Sequence, residues 1–272
     1  MKNHKFFDRP ILGMILGLIV ALFGIEILGY ILGVVFKAFI ANEQMASSLG
    51  LIIVSILWLF LHQFWFRNEI QHFFQTKALM PSLLLGWSAI FVPLATFILN
   101  LIGGSHPQHF VLALILALSA GTSEEVIFRI IPISIAMRAE NKEKLIPITF
   151  VLTGILFGLI HSANVLVGAD FVATILQVCY ASAIGFVYAA IYMRTGNLWV
   201  TMILHTYTDF MGFLFMDVEK TGGIITESSS VATVLYLLVC ALIFFANAYM
   251  IFKKENRKEI PVIWKSIWHK AK

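Results

Sequence analysis

Six side chains in this sequence can do acid–base chemistry and stand where apolar residues would serve: Glu124, Glu125, Arg129, His161, His205 and Asp209. All fall inside long hydrophobic segments, where an ionisable group is costly unless paired or wetted and marks a functional site by default. Glu125 and Arg129 are four residues apart, share a helix face and can form an ion pair. Glu124 is rotated about 100° from its neighbour, so it can face a cavity while Glu125 is neutralised. His205 and Asp209 also share a face. Histidine serves as base, hydrogen-bond donor or metal ligand, and a glutamate at membrane depth suits general-base work. Glu124, His161 and His205 are equally a candidate ligand set for zinc or another divalent metal with one open position. Either route ends in an activated water, hence hydrolysis. The sequence has no G-x-S-x-G and no H-E-x-x-H, and no serine or cysteine stands out with a base beside it, which argues against covalent catalysis. The competing structural reading is that each histidine is a satisfied interhelical residue; a set spread over three segments makes that coincidence harder to accept.

The elements that position these groups are read from hydropathy. Of 272 residues, 60% are hydrophobic and 12% charged, against about 25% charged in a soluble domain. The chain is therefore expected to be an all-α, polytopic membrane helical bundle, a single integral membrane domain over residues 1–272. Segments of ~20 apolar residues suit spans, and about eight transmembrane helices are expected, near 11–39, 46–65, 82–102, 109–137, 145–163, 171–193, 197–216 and 231–252. The first is too long for a signal-peptide core and is expected to remain in the chain. Basic residues collect at alternate loops and in the tail, leaving only Lys37 and Lys220 for the others. That asymmetry predicts a cell-membrane protein with both termini cytoplasmic.

Three G-x-x-x-G pairs, Gly13/Gly17, Gly29/Gly33 and Gly154/Gly158, let helices approach closely. The first two read as bundle packing; the third can bring the His161 helix against the glutamate-bearing one. Residues 253–272 read as a basic amphipathic tail lying on the cytoplasmic leaflet, with Ile263, Trp264, Ile267 and Trp268 at helical spacing. Cys179 and Cys240 form no disulfide pattern. Dispersed charge gives no patch for nucleic acid.

Depth poses a problem. Counting 1.5 Å per residue, Glu124 lies roughly 20 Å from the outer start of its span, His205 about 12 Å and His161 about 24 Å from the inner starts of theirs. Straight helices would set His161 too high. A break near 121–123, with Ser123 capping a new helix, or a steep tilt of the fifth span is expected. A water-filled cavity among spans four, five and seven, opening to the cytoplasm, would let water reach the carboxylate. Glu26, Asn100 and Gln177 are expected to form interhelical hydrogen bonds, or failing that to line the cavity.

Glu124-Glu125-x-x-x-Arg129, Phe157-x-x-x-His161 and His205-x-x-x-Asp209, in that order on successive spans, resemble the CPBP family, the CAAX proteases and bacteriocin-processing proteins also called Abi or type II CAAX prenyl endopeptidase-like. The resemblance covers about residues 110–212. It implies an eight-helix intramembrane protease, with or without a divalent metal, in which Glu124 activates the water and His161 assists. His205 and the residue at 209 would then stabilise the oxyanion or hold a metal, with Glu125 and Arg129 bracing the site. The prenyl-protein proteases resemble the pattern with Asn at 209; Asp209 can instead orient His205 or ligate a metal. The implied partners are the lipid bilayer and a membrane-associated peptide or protein substrate, in bacteriocin maturation, self-immunity or CAAX-type processing. Two other classes compete: a non-catalytic membrane immunity or partner protein, and a proton-coupled transporter using the same residues as a relay. The absence of an inverted repeat weakens the transporter.

Overall fold

The computed structural model describes residues 9–66, 78–139, 141–224 and 230–269. An apolar chain in lipid has no water to satisfy its amides, so each segment must close its own backbone hydrogen bonds. The described residues form helices α1 (Pro10–Phe36), α2 (Glu43–Phe66), α3 (Leu79–Leu85), α4 (Trp87–Ile102), α5 (Phe110–Glu125), α6 (Ile131–Arg138), α7 (Lys142–Leu159) and α8 (Phe171–Thr195). They continue with α9 (Leu198–Phe213), α10 (Val218–Thr221), α11 (Val231–Phe252), α12 (Lys254–Arg257) and α13 (Ile260–His269). A π-helical turn, Val126–Ile130, joins α5 to α6, and a 3-10 segment, Ile160–Val167, continues α7.

Six of these segments are long and apolar enough to cross a membrane, and α3 with α4, bent by 69°, makes a seventh. The eighth expected span is α9, with 16 residues, about 24 Å at 1.5 Å per residue. It still runs between the two ends of the bundle: it starts beside the end of α8, and at its far end the Leu214 carbonyl accepts from the Gln108 amide. Val20, Phe23, Tyr30, Leu242 and Tyr249 point outward, an apolar exterior that only lipid tolerates. The chain is a membrane protein.

Helix connectivity sorts the charges. One end of the bundle holds Arg9, Arg138, Lys142, Lys144, Arg194 and the basic residues of segment 253–265. The other end holds the α1–α2 loop, the α4–α5 loop, the 3-10 segment and residues 214–224. Its lysines, Lys37 and Lys220, are paired with Glu43 and Asp217. Lys2, Lys5, Arg67, Lys77, Lys270 and Lys272, which entered the charge reading, lie outside the described residues.

The π turn has a local cause. Pro132 has no N–H to offer the Phe128 carbonyl, and its ring crowds that carbonyl; a wider turn just before it absorbs the misfit. The interruption expected at 121–123 therefore falls after Glu125. Ser123 caps nothing; within the continuous α5 its hydroxyl donates to the Ser119 carbonyl at 2.9 Å. The fifth span is likewise not α-helical as far as His161, because its winding tightens from Ile160.

The glycines act at crossings. Gly29 and Gly33 lie against Leu51 and Ser47 of α2, and Gly17 lies against Ile131 and Ile135 of α6. Gly154 and Gly158 face Phe186, Ser182 and the Val178 carbonyl of α8, not the glutamate-bearing helix as expected. A Cβ at Gly158 would sit 2.5 Å from that carbonyl. Gly158→Leu should therefore destabilise the protein by about 1–3 kcal/mol, the range of core overpacking, measurable as a lower midpoint of thermal unfolding in detergent.

The tail also departs from expectation. It is helical, but Ile260, Trp264 and Ile267 are buried against the bundle. Trp264 Nε1 donates to the Met193 carbonyl at 2.8 Å, and its ring meets Tyr192 edge-on. The apolar stripe is thus satisfied by protein; the side chain of Trp268 lies outside the described residues.

Candidate active site

Two helix crossings build the site. At Gly121 a Cβ would lie 2.9 Å from the Thr206 amide nitrogen and 3.1 Å from the Met202 carbonyl. This glycine lets α5 and α9 touch, one turn from the paired glutamates. At Gly158 the same close approach seats α7 on α8 and sets Phe157 in the core.

The carboxylate of Glu125 is the hub. It is fully buried, and its Oε2 accepts from Arg129 Nε at 3.1 Å, the expected pair of residues four apart. Its Oε1 lies 3.1 Å from His205 Nδ1. The Arg129 guanidinium is also fully buried; its Nη atoms make no hydrogen bond, and it sits over Phe157 at 4.6 Å and Tyr188 at 5.8 Å. The two aromatic faces and one carboxylate thus compensate a cation held away from water.

His205 stands above this pair. Its Nε2 lies 3.3 Å from Asp209 Oδ2 and 3.9 Å from Glu124 Oε2. Tyr188 stacks on the imidazole, centroids 5.3 Å apart, and its hydroxyl is held by Thr208. Glu124 faces away from Glu125 as the 100° rotation requires. Its Oε2 makes no hydrogen bond to the protein, and the residue lines a cavity of about 390 Å³.

Glu124, His161, His205 and Asp209 all line that cavity. Glu124, His205 and Asp209 meet directly; His161 does not. Among the described residues His161 makes no hydrogen bond or ion pair; Phe157 packs edge-on against both imidazoles, with ring centroids at 5.7 Å from His161 and 5.5 Å from His205. The cavity walls include spans four, five and seven as expected, with Glu26, Gln44 and Gln177 from three further helices. Gln177 accepts from Asn164 at 3.0 Å, whereas Asn100 bonds only the Thr96 carbonyl of its own helix. Gln44, Asn164, Gly222 and Gly223 place the mouth at the end opposite the basic residues. Cytoplasmic termini and a cytoplasm-facing cavity therefore exclude one another.

The donor set does not fit a metal as arranged. Among the described residues no group of three His, Cys, Asp or Glu side chains is disposed to hold a metal ion. Both His205 nitrogens face carboxylate oxygens; carboxylates only accept, so a hydrogen on each nitrogen satisfies them and leaves no lone pair for a ligand bond. Glu124, His161 and His205, the candidate ligands, are not gathered around one point.

Sequence reasoning missed Tyr188, which carries no spacing signal relative to His205, and the hydrogen bond from His205 to Glu125. The latter was open to inference: once Glu125 is neutralised by Arg129, its second oxygen still needs a partner in an apolar core.

Residues 106–211 match the family model described as type II CAAX prenyl endopeptidase Rce1-like. This segment contains all six site residues and is what the chain has in common with that family. No curated protein and no solved structure matches it.

Proposed function

We propose that the cavity is the active site of an intramembrane endopeptidase that cleaves a peptide bond in a membrane-associated peptide or protein of the cell membrane. The single observation that supports this most is the carboxylate of Glu124, held beside His205 and Asp209 on a cavity wall while Glu125 and Arg129 neutralise each other beneath. In this reading Glu124 takes a proton from water and the water oxygen bonds to the scissile carbonyl carbon. His205, with a hydrogen on each ring nitrogen, places positive charge beside the developing oxyanion, since charge preorganised at that point gives the largest single stabilisation. The C–N bond then breaks, and the proton held by Glu124 passes to the leaving nitrogen. His161 assists from the facing wall. No step is routed through a metal.

Asp209 is the positioning residue in this scheme. Asp209→Asn should lower kcat/KM about 10- to 100-fold, the worth of a charge-assisted contact of roughly 1.5–3 kcal/mol, with KM little changed. An unaltered rate would remove Asp209 from the mechanism. Peptide maturation, self-immunity against a bacteriocin and CAAX-type processing are the uses such a protease would serve. Membrane peptidomes from cells carrying the wild type or Glu124→Gln test the assignment: substrates accumulate uncut in the variant, and identical peptidomes would leave a non-catalytic membrane partner as the better description.

A further inference from the structure

We infer that the catalytic cavity opens on the extracytoplasmic side, so that this protein acts on a peptide segment arriving from outside the cytoplasm or from the outer leaflet. The inference rests on the hydrolase reading for its substrate and on helix connectivity for its direction. Arg138, Lys142, Lys144, Arg194 and the cations of segment 253–265 share one end of the bundle. At the opposite end Lys37 and Lys220 are each paired with a carboxylate. Lysine and arginine in short loops are retained in the cytoplasm, and an anionic inner leaflet attracts them further. The basic end is therefore cytoplasmic.

The cavity belongs to the other end. Gln44 and Ser47 come from the first two turns of α2, Asn164 from the 3-10 segment, and Gly222 and Gly223 from the loop after α9. Gln44, Ser47, Gly222 and Gly223 lie close along the chain to Lys37 or Lys220, and Asn164 lies in the α7–α8 connection at the same end of the bundle. The lining also selects against one kind of occupant. Among the described residues it includes Glu26, Glu124 and Asp209 but no lysine or arginine. A free C-terminal carboxylate would meet like charge there, with no guanidinium or ammonium to receive it. An internal or basic stretch of peptide suits this wall, which disfavours CAAX-type processing among the uses such a protease would serve.

The test uses the full chain with Cys179 and Cys240 replaced by serine, carrying one new cysteine as Gln44→Cys or Lys258→Cys. Right-side-out membrane vesicles are treated with a membrane-impermeant maleimide. Gln44→Cys should label before permeabilisation and Lys258→Cys only after it; the reverse order overturns the inference. Should Gln44→Cys fail to accumulate, Ile224→Cys reports on the same mouth. Impermeant basic peptides supplied to the same vesicles should be cut from outside, and cutting confined to inverted vesicles also overturns it. Outside labelling with no cleavage in either orientation would sink the hydrolase reading and leave the direction of the cavity standing.

Discussion

Replacing Glu124 by glutamine should abolish the proposed peptide hydrolysis while the protein accumulates in the membrane at its normal level. Glutamine is nearly isosteric and Glu124 makes no hydrogen bond through Oε2, so little packing or bonding is lost. What disappears is the ability to take a proton from water. General-base catalysis is worth about 10²–10⁴-fold, and the rate should fall by at least that range, in kcat rather than KM, because the interaction lost is one made in the transition state. Purified wild type and variant, compared on one substrate with matched thermal midpoints, measure this. Retention of full activity would show that Glu124 performs no chemistry.

The second large effect concerns stability. Arg129→Met alone strands the Glu125 carboxylate in a fully buried position. Breaking a buried pair by removing one partner costs about 3–5 kcal/mol, a large part of a typical folding free energy. The variant should unfold at a markedly lower temperature or fail to accumulate. Arg129→Met combined with Glu125→Gln removes both charges and should recover most of that stability, since the buried pair's own desolvation is then avoided. Activity should not return, because His205 Nδ1 then faces an amide in place of the carboxylate that accepts from it at 3.1 Å. Equal melting of single and double variants would show that the pair is not the structural hub.

Much of the bundle was legible because the membrane imposes simple rules. Long apolar runs gave the spans, and Glu125 with Arg129 gave the ion pair through helical spacing alone. The family resemblance at about 110–212 and the family-model match at 106–211 concern the same stretch of chain. What stayed hidden depends on tertiary contact. The π turn needed Pro132 to be weighed against Phe128 four residues earlier. The partner of Gly154 and Gly158 could not be chosen from one helix, since a smooth face fits any neighbour. The tail's stripe of Ile260, Trp264 and Ile267 looks the same whether lipid or α8 covers it. The lack of a direct contact from His161 to the other three groups, and the Phe157 ring that touches both histidines, depend on packing that spacing does not place.

The π turn also bears on what changes in length this chain can tolerate. Five residues there do the work of about four, so the segment holds one residue more than a plain α-helix would need. Deleting a single position between Val126 and Phe128 would let the backbone relax to ordinary winding without breaking the helix. Everything upstream would then keep nearly its phase relative to α6, since four α-wound residues turn the chain about as far as the five they replace, and Glu124 would stay near the cavity wall. A chain lacking Ile127 would thus still insert with this carboxylate aimed, whereas the same deletion within α6, which has no wide turn to absorb it, would rotate Glu124 by about 100° against the rest of that helix and should silence hydrolysis.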